Sequence, residues 1–559
     1  MEKLLEPLKG GAGRRDVLRV LSDALLERED PWGEAIQLAL DLEEKFPGED
    51  DTIDGERRLR RLMDKYGPSW CVRLYGPRTS VRDWWPRFHR AIPSAIGLGE
   101  NAPLEKLKTG LVASLALIAE SGELSSPSLD QVTDLTVSPG AGTAKSLTLA
   151  RTRNVTHLSI PWLGAETVRA LKSAPCLSQL ESLTLTTAQP VALTAPELNS
   201  LFALAMPKLN TLAFERLEFG LPGAEALRDA MKWNVSKLFL DEAALGVKGT
   251  LAFLGAKWLP NVKLLSLSRN AMGPAGAEAL AAAPLKLVAL DLSQTASAAK
   301  ALVPFFQNVK WPTLRSLALN GCVLKGKAAG PVGAMKLSGL RELRFNNGLI
   351  GDDGLTELAK SKTLTGLRVL QLANSAVKGA GVAALGKSVV MKTVEELDLS
   401  HNKFQNTGAK GLAASKNVGA LRVLTLGHNW MGVQGLRALL GNPALKNFEE
   451  LREGMNNYAS GFPLAFIEFE QLKLKSLRLG PETTTDVLEE LLRSPRVAKL
   501  EWLTISCHAF GDPQVEVLLA GPLVKATTFL HVSRNWSNQL TDGAAQKLKT
   551  ALGARVEFI

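Results

Sequence analysis

A short apolar pattern, an apolar residue followed by xxLxLxxN, returns along this chain about every 26 residues. Val262–Asn270, which reads VKLLSLSRN, shows it most completely. The sixteen copies begin at Val132, Val155, Leu180, Leu209, Val235, Val262, Leu287, Leu314, Leu340, Leu367, Val394, Leu421, Phe448, Leu474, Leu500 and Thr527. Repetition at this period indicates a solenoid, because each unit buries its apolar edge only by stacking on its neighbours. A solenoid also accommodates 559 residues, a length that rarely forms one globular core.

Each repeat divides into a short strand and a helical return. Inward leucines alternate with outward residues, and a glycine-containing turn and a short helix follow, as in Asn270–Leu280. We expect the asparagine that closes the strand to bond backbone groups of the turn, where the chain leaves the sheet. Asparagine fills this place at Asn270, Asn402, Asn429, Asn456 and Asn535, and Thr295, Cys322 and Ser375 substitute for it in part.

The strand half LxxLxLxxN followed by xxxGxxGxxxL resembles the leucine-rich repeats of the ribonuclease-inhibitor type. The resemblance covers residues 131–559 and implies an α/β solenoid of about 16 repeats. In that family the repeats form a horseshoe, with parallel strands on the concave face and helices on the convex face. Glu453 replaces the third apolar residue of its repeat, so we expect that repeat to be distorted or exposed, and we expect Val556–Ile559 to form a closing strand.

The first 130 residues lack the repeat period. Residues 14–44 predict two amphipathic helices, with Asp30 as N-cap and Pro31 in the first helical position of the second. The acidic segment Gly48–Glu56 predicts a loop, and Glu56–Tyr66 predicts a third helix. For residues 100–130 we expect a capping helix and linker that shields the first repeat.

Part of the N-terminal region is similar to the small companion domain found in front of some leucine-rich repeats. The similarity lies in the stretch LSDALLEREDPWGEAIQL, followed by Tyr66-Gly-x-x-Trp70 and Trp85-Pro-x-Phe88. Such domains precede leucine-rich repeats in bacteria such as myxobacteria and planctomycetes. The resemblance covers residues 14–100 and implies no activity. We therefore divide the chain into a helical N-terminal repeat-companion domain (1–99), the capping helix and linker (100–130) and the solenoid (131–559).

Charge and cysteine content restrict the class of protein. Residues 1–130 carry 19 basic and 23 acidic side chains (net −4), so the total of +10 leaves +14 for residues 131–559. The lysines in that region are scattered, whereas a nucleic-acid site favours a dense basic stripe with aromatic residues. Cys71, Cys176, Cys322 and Cys507 form no CxxC pair and predict reduced, buried thiols. Because the chain shows neither a signal peptide nor an apolar run of about 18 residues, we expect a cytoplasmic protein without a membrane segment.

Two motifs could carry chemistry, and neither predicts a site. Gly321–Ala328 matches the phosphate-binding loop motif except at its last position, where Ala328 replaces the Ser or Thr that binds Mg²⁺. His401 and His428 occupy the same place in adjacent repeats, but no third metal ligand is visible in the sequence. We interpret them as exposed turn residues. We predict no catalytic residues, no cofactor and no metal, and hence no enzyme.

The outward strand positions are the best candidates for binding. From residue 342 onward they carry glutamate and arginine and end in aromatic residues that we expect to be exposed. Aromatic residues and arginine are enriched among binding hot spots. The predicted partner-binding residues are Glu342, Arg344, Glu396, Asp398, Glu450, Arg452, Arg478, Trp502, Phe529 and His531. The alternative is that glutamate and arginine pair across neighbouring strands only for solubility and register.

These observations favour a non-enzymatic scaffold that binds a protein partner through the concave face of the horseshoe. We expect it to be a monomer. One alternative is an activator or binder of a small GTPase, because the Ran GTPase-activating proteins use similar repeats; this rests on analogy of fold. A less favoured alternative is association with nucleic acid through the positive charge of the solenoid.

Overall fold

A computed structural model describes residues 19, 22–75, 96–98, 114–117, 134–137, 149–296, 300–452, 467–469, 472–479, 483–532 and 540–558. The chain forms two compact units. Unit 1 comprises residues 1–297 and 313–317, and unit 2 comprises residues 298–312 and 318–559. Strands and helices alternate along both units, as the repeat predicts.

The strands of unit 1 pair in chain order and all run parallel. They are β1 (Ile96–Leu98), β2 (Ser114–Leu117), β3 (Asp134–Val137), β4 (His157–Pro161), β5 (Ser182–Ala192), β6 (Thr211–Glu218), β7 (Lys237–Asp241), β8 (Leu264–Ser266) and β9 (Ala289–Asp291). Leu183 lies opposite Leu158 on one side and Leu212 on the other. The leucine positions of successive repeats therefore share one register.

Strand β10 (Ser316–Ala318) spans the boundary in sequence between the two units. The strands of unit 2 are also parallel and in chain order. They are β11 (Glu342–Arg344), β12 (Val369–Gln371), β13 (Glu396–Asp398), β14 (Val423–Thr425), β15 (Glu450–Arg452), β16 (Ser476–Leu479), β17 (Trp502–Ile505), β18 (Phe529–Val532) and β19 (Val556–Phe558). Strand β19 confirms the predicted closing strand.

Helices return the chain from one strand to the next. Unit 1 has α1 (Pro31–Glu43), α2 (Asp50–Tyr75), α3 (Ala165–Ser173), α4 (Ala195–Phe202), α5 (Gly220–Ala230), α6 (Gly246–Leu254) and α7 (Gly273–Ala282). Unit 2 has α8 (Val303–Asn308), α9 (Gly330–Ala334), α10 (Gly351–Ala359), α11 (Gly379–Lys387), α12 (Gln405–Ala413), α13 (Val433–Leu440), α14 (Thr485–Arg493), α15 (Asp512–Ala520) and α16 (Asp542–Leu552). Short 3-10 helices lie at Leu177–Gln179, Leu259–Asn261, Gly326–Ala329, Val389–Lys392, Val497–Lys499, Pro522–Lys525 and Gly553–Arg555. Gly273 and Gly351 begin their helices with φ near +60°, a backbone conformation that strains other residues.

The core of each unit lies between the strand layer and the helix layer. The second and third apolar positions of the described repeats are buried, as Leu265 and Leu267 are in unit 1. At the last repeat, Thr528 is buried while Thr527 is exposed, so the first apolar position lies one residue later than predicted. Removing these side chains from water supplies the main free energy that favours stacking of the repeats.

The asparagine that closes the strand bonds the turn backbone as predicted. The Asn402 side-chain nitrogen donates to the carbonyl oxygens of Leu372 (2.8 Å) and Leu399 (3.0 Å). Its side-chain oxygen accepts from the backbone N–H groups of Ser375 and Val377, both at 3.0 Å. Asn270 and Asn429 make equivalent bonds. The Asn270 side-chain nitrogen donates to the Leu240 carbonyl oxygen, and that of Asn429 donates to the Leu426 carbonyl oxygen. Each buried side chain thus satisfies polar groups of two consecutive repeats.

The N-terminal region departs from the prediction in two places. Asp30 accepts a hydrogen bond from the Trp32 N–H at 3.0 Å and caps α1, as expected. Helix α2, however, begins at Asp50, inside the predicted acidic loop, because carboxylates in a first turn are stabilised by the helix dipole. The predicted capping helix at 100–130 is wrong at Ser114–Leu117, where β2 pairs with β3. The sheet thus begins before residue 131.

Several predictions concern residues outside the described part of the chain or untested properties. Glu453, Asn456 and Asn535 lie outside the described residues. The division into three domains stays a prediction. In the described part of the chain, no helix is both long enough and apolar enough to cross a membrane.

Candidate partner-binding surface

The ten predicted binding residues lie in two neighbouring columns on the strands of unit 2. Column A contains Glu342, Val369, Glu396, Val423, Glu450, Ser476, Trp502 and Phe529. Column B contains Arg344, Gln371, Asp398, Thr425, Arg452, Arg478, Thr504 and His531. Both columns flank the buried leucines, and alternation along each strand places them on one side of the sheet. The predicted residues are therefore brought together.

Column A is more buried than the sequence suggests. Glu342 has a relative exposure of 3%, and Trp502 has one of 5%. The expectation that Trp502 is exposed is wrong, whereas Phe529 is half-buried. In a parallel sheet each outward side chain lies between neighbours about 4.8 Å away. Trp502 is flanked in this way by Ser476 and Phe529.

Two glutamates of column A, Glu342 and Glu450, pair with arginines of their own strands. The Arg344 guanidinium donates to the Glu342 carboxylate at 2.8 Å. Arg452 pairs with Glu450 in the same way, two residues along strand β15. At these two places glutamate and arginine pair within a strand. Both arginine side chains remain about one-third exposed, so they stay accessible to a partner.

The rest of column B is polar and partly accessible. The Asp398 carboxylate accepts from the backbone N–H and the hydroxyl of Ser400 at 2.8 and 2.7 Å. Arg478 is exposed. His531 is only 2% exposed and lies 3.7 Å from the Glu557 carboxylate, with its ring edge-on to Phe529. Arg344, Asp398, Arg452 and Arg478 are the predicted residues that present polar groups to solvent.

A charge ladder at the start of the strands was not predicted. Arg368 donates two hydrogen bonds to Glu395, at 2.7 and 3.0 Å. Arg422 then lies 3.7 Å from Glu395 and 3.2 Å from Glu449. The signal in the sequence is the alternation of Arg and Glu in the residue just before column A. This ladder fixes the register of four successive strands and is not a binding site by itself.

A third set of equivalent positions, which we name the turn column, lies in each unit where a strand enters its turn. Its residues precede the closing position of their repeats and have φ between 50° and 69°: Arg216, Glu242, Arg269, Gln294, Gly321, Asn347, Asn374, His401 and His428. Neighbours interact along it, since Arg269 lies 3.3 Å from Glu242 and Asn374 donates to Asn347 at 3.0 Å. The sequence did not reveal this conformation, because most of these residues are not glycine.

The turn column continues into an exposed aromatic group. The rings of His401 and His428 stack with their centroids 4.1 Å apart and their planes 16° apart. Trp430 follows two residues later and is 51% exposed. The Lys403 ammonium lies 4.8 Å from the centre of the Trp430 ring, a cation–π contact. Trp430 has the highest relative exposure of any large hydrophobic residue in the described part of the chain.

The described cysteine thiols and Ala328 of the phosphate-loop motif are buried in the core. Cys176, Cys322 and Cys507 are free and buried. Burial raises the pKa of Cys507 to about 11, so its thiol stays protonated and is a poor nucleophile at neutral pH. Burial also raises the pKa of Cys176. Ala328 is 7% exposed and belongs to a 3-10 turn, where its methyl group contributes to the core.

Comparison with known proteins gives a family match and a similar solved structure. Residues 259–281 and 390–413 match the family profile described as Leucine Rich repeat. The fold is an α/β leucine-rich repeat solenoid. Among solved structures, the leucine-rich repeat chain is similar to one from the crystal structure of the Rad7 and Elc1 complex in yeast. That likeness has 15% identity and a TM-score of 0.37, and covers 74% of this chain and 85% of the other. No curated protein matches the chain.

Proposed function

We propose that this leucine-rich repeat protein is a non-enzymatic scaffold that binds a protein partner through the strand face of unit 2. The partner would contact the accessible side chains of column B and the adjoining turn column. Repeats of this kind offer an extended surface on which affinity comes from area and shape. A cytoplasmic location and a monomeric state stay predictions.

The exposure of Trp430 is the observation that supports this proposal most strongly. A tryptophan that is 51% exposed leaves much of a large aromatic side chain in contact with water. Tryptophan and arginine also dominate the energy of protein interfaces. Trp430 follows Thr425 of column B by five residues, and Arg452 lies opposite Thr425 on the neighbouring strand.

Affinity purification with Trp430→Ala and Arg478→Glu tests the proposal. The tagged full chain and each variant would be incubated with lysate of the native organism, and bound proteins quantified by mass spectrometry. We expect one or a few proteins to be recovered with the natural chain and at least tenfold less with each variant, since hot-spot truncation costs about 2 kcal/mol or more. Trp502 is not a suitable target, because it is buried and its truncation would test stability.

Leu251→Ala is the matched control, because Leu251 is 46% exposed on helix α6 of unit 1. The control is expected to recover the same partner as the natural chain. Equal recovery with Trp430→Ala, Arg478→Glu and the natural chain would reject this surface. Regulation of a small GTPase and association with nucleic acid stay predictions from the sequence.

A further inference from the structure

We infer that His401 and His428 form a two-nitrogen binding site for a late transition-metal dication, with Cu²⁺, Ni²⁺ or Zn²⁺ as the ligand. Both imidazoles are exposed and occupy adjacent places in the turn column. This site is independent of the protein-binding function proposed above, since it requires only the two histidines and water.

The two imidazoles lie close enough together to bind one ion after a change of side-chain rotamer. The two rings stack with their centroids 4.1 Å apart and their planes 16° apart. Two nitrogens bound to one ion at about 2.1 Å in adjacent coordination positions lie roughly 3.0–3.4 Å apart. Because an ion lies in the plane of each imidazole ring that binds it, both side chains must rotate out of the stacked arrangement until their nitrogen lone pairs converge on one point. In the described part of the chain, neither ring has a hydrogen bond that would have to break.

The backbone beneath the pair is held firmly. The two histidines have nearly equal φ values, 56° and 59°, so their side chains leave the backbone in the same direction. The His401 N–H donates to the Gly427 carbonyl at 2.7 Å. Asn402 and Asn429, the next residues, are buried, and the Asn402 N–H donates to the Asn429 side chain at 3.0 Å. A preorganised backbone lowers the entropy cost of bringing two ligands to one ion.

The surrounding chemistry selects the kind of metal. Imidazole nitrogen suits copper, nickel and zinc, whereas calcium and magnesium prefer oxygen ligands. Among the described residues, no group of three or more histidine, cysteine, aspartate or glutamate side chains could hold a metal ion. The ion would thus keep open positions for water. Lys403 is directed to the Trp430 ring, and its charge will weaken binding without blocking the imidazoles.

Calorimetric titration of the full chain with NiCl₂ and with ZnCl₂ near neutral pH tests the site. We expect one saturable ion per chain, and tighter binding of Cu²⁺ than of Ni²⁺ in a parallel titration, following the general order of affinities. The electron paramagnetic resonance spectrum of the Cu²⁺ complex should show two nitrogen ligands.

The matched variants are His401→Asn and His428→Asn. Asparagine already occupies the same column at Asn347 and Asn374 with positive φ, so these variants are expected to fold, which circular dichroism would verify. Each should raise the dissociation constant at least tenfold. His508→Asn, which replaces an exposed histidine elsewhere, should leave binding unchanged. Absence of saturable binding, or binding that survives both substitutions in a folded chain, would overturn the assignment.

Discussion

At the residue scale, the buried asparagines link one repeat to the next. Asn402 serves backbone donors and acceptors in its own repeat and in the preceding one. Their partners lie in turns where the sheet ladder has ended. Because water cannot reach these groups, the side chain that satisfies them has no easy replacement.

Asn402→Ala should lower the free energy of unfolding by about 2–4 kcal/mol, because it leaves several buried backbone groups unpaired. Urea denaturation followed by circular dichroism measures this change. Asn199→Ala is the control, since Asn199 is exposed on helix α4, and it should change stability by less than about 0.5 kcal/mol. Equal effects of the two substitutions would contradict the linking role.

Asp241 makes the stability of unit 1 depend on pH. Burial raises the pKa of its carboxyl, the Ser266 hydroxyl that donates to it opposes the rise, and the Asp291 carboxylate adds to it. A raised pKa means that the folded chain binds this proton more tightly than the unfolded chain does. The resulting stability is complete below the ordinary aspartate pKa of about 3.9 and is lost as pH rises through the folded value.

Asp241→Asn should therefore melt at a higher temperature than the natural chain near pH 7, and this difference should shrink toward about pH 3.5. Thermal unfolding at constant ionic strength measures it. Asp229→Asn provides a control of opposite sign, because Arg228 lowers the pKa of Asp229. A difference for Asp241→Asn that grows as pH falls would reject the explanation.

At the scale of elements, strand register depends on charge as well as on leucine. Glu395 lies between Arg368 and Arg422, and the Arg368 side chain is only 14% exposed. Removing one charge from a partly buried cluster leaves its partner unpaired in a poor solvent. The ladder therefore adds stability to β12, β13 and β14 beyond that supplied by the apolar positions.

Glu395→Gln should destabilise the chain by about 1–3 kcal/mol, mainly through the unpaired Arg368. Equilibrium unfolding at low and high salt measures this effect, which should decrease only slightly with salt because the pair is partly buried. Glu357→Gln, whose partner Lys360 is 65% exposed, should cost at most about 1 kcal/mol. If both variants lose the same small amount, the ladder is merely a surface feature.

The sequence predicted the strand elements well because their burial follows from alternation alone. Leu397 and Leu399 are buried as expected, and column A and column B occupy their predicted faces. The burial of Trp502 could not be predicted in this way, since it depends on Ser476 and Phe529 from other repeats. Strand β2 was missed because Leu115 precedes Leu135 by only 20 residues, fewer than any spacing in the predicted repeats.

The turn column likewise could be predicted only in part from the sequence. The equivalence of His401 and His428 was visible in the sequence, but the stacking of their rings depends on a shared positive φ. Trp430 carries no repeat signature, so its exposure could not be predicted from the pattern. Features that depend on one repeat are predictable, whereas features that depend on contacts between repeats require coordinates.

At the scale of the whole molecule, a solenoid has to cover the apolar surface and the strand edge that its last repeat would otherwise expose. Helix α16 buries Leu548 and Leu552, and β19 pairs with β18. Without these elements, β18 would present unpaired N–H and C=O groups beside an uncovered apolar surface. An edge of this kind pairs readily with other chains.

Deletion of residues 540–559 should therefore produce self-association that increases with protein concentration, measured by size-exclusion chromatography with light scattering. The control is Gln546→Ala, because Gln546 lies on the exposed side of α16 and its replacement leaves the apolar contacts intact. The control should keep the mass of the natural chain at every concentration. If the deleted chain also keeps the natural mass at every concentration, α16 and β19 do not protect the end of the sheet. The protection would then have to come from β18 itself, because twist and short length limit pairing at an exposed strand edge.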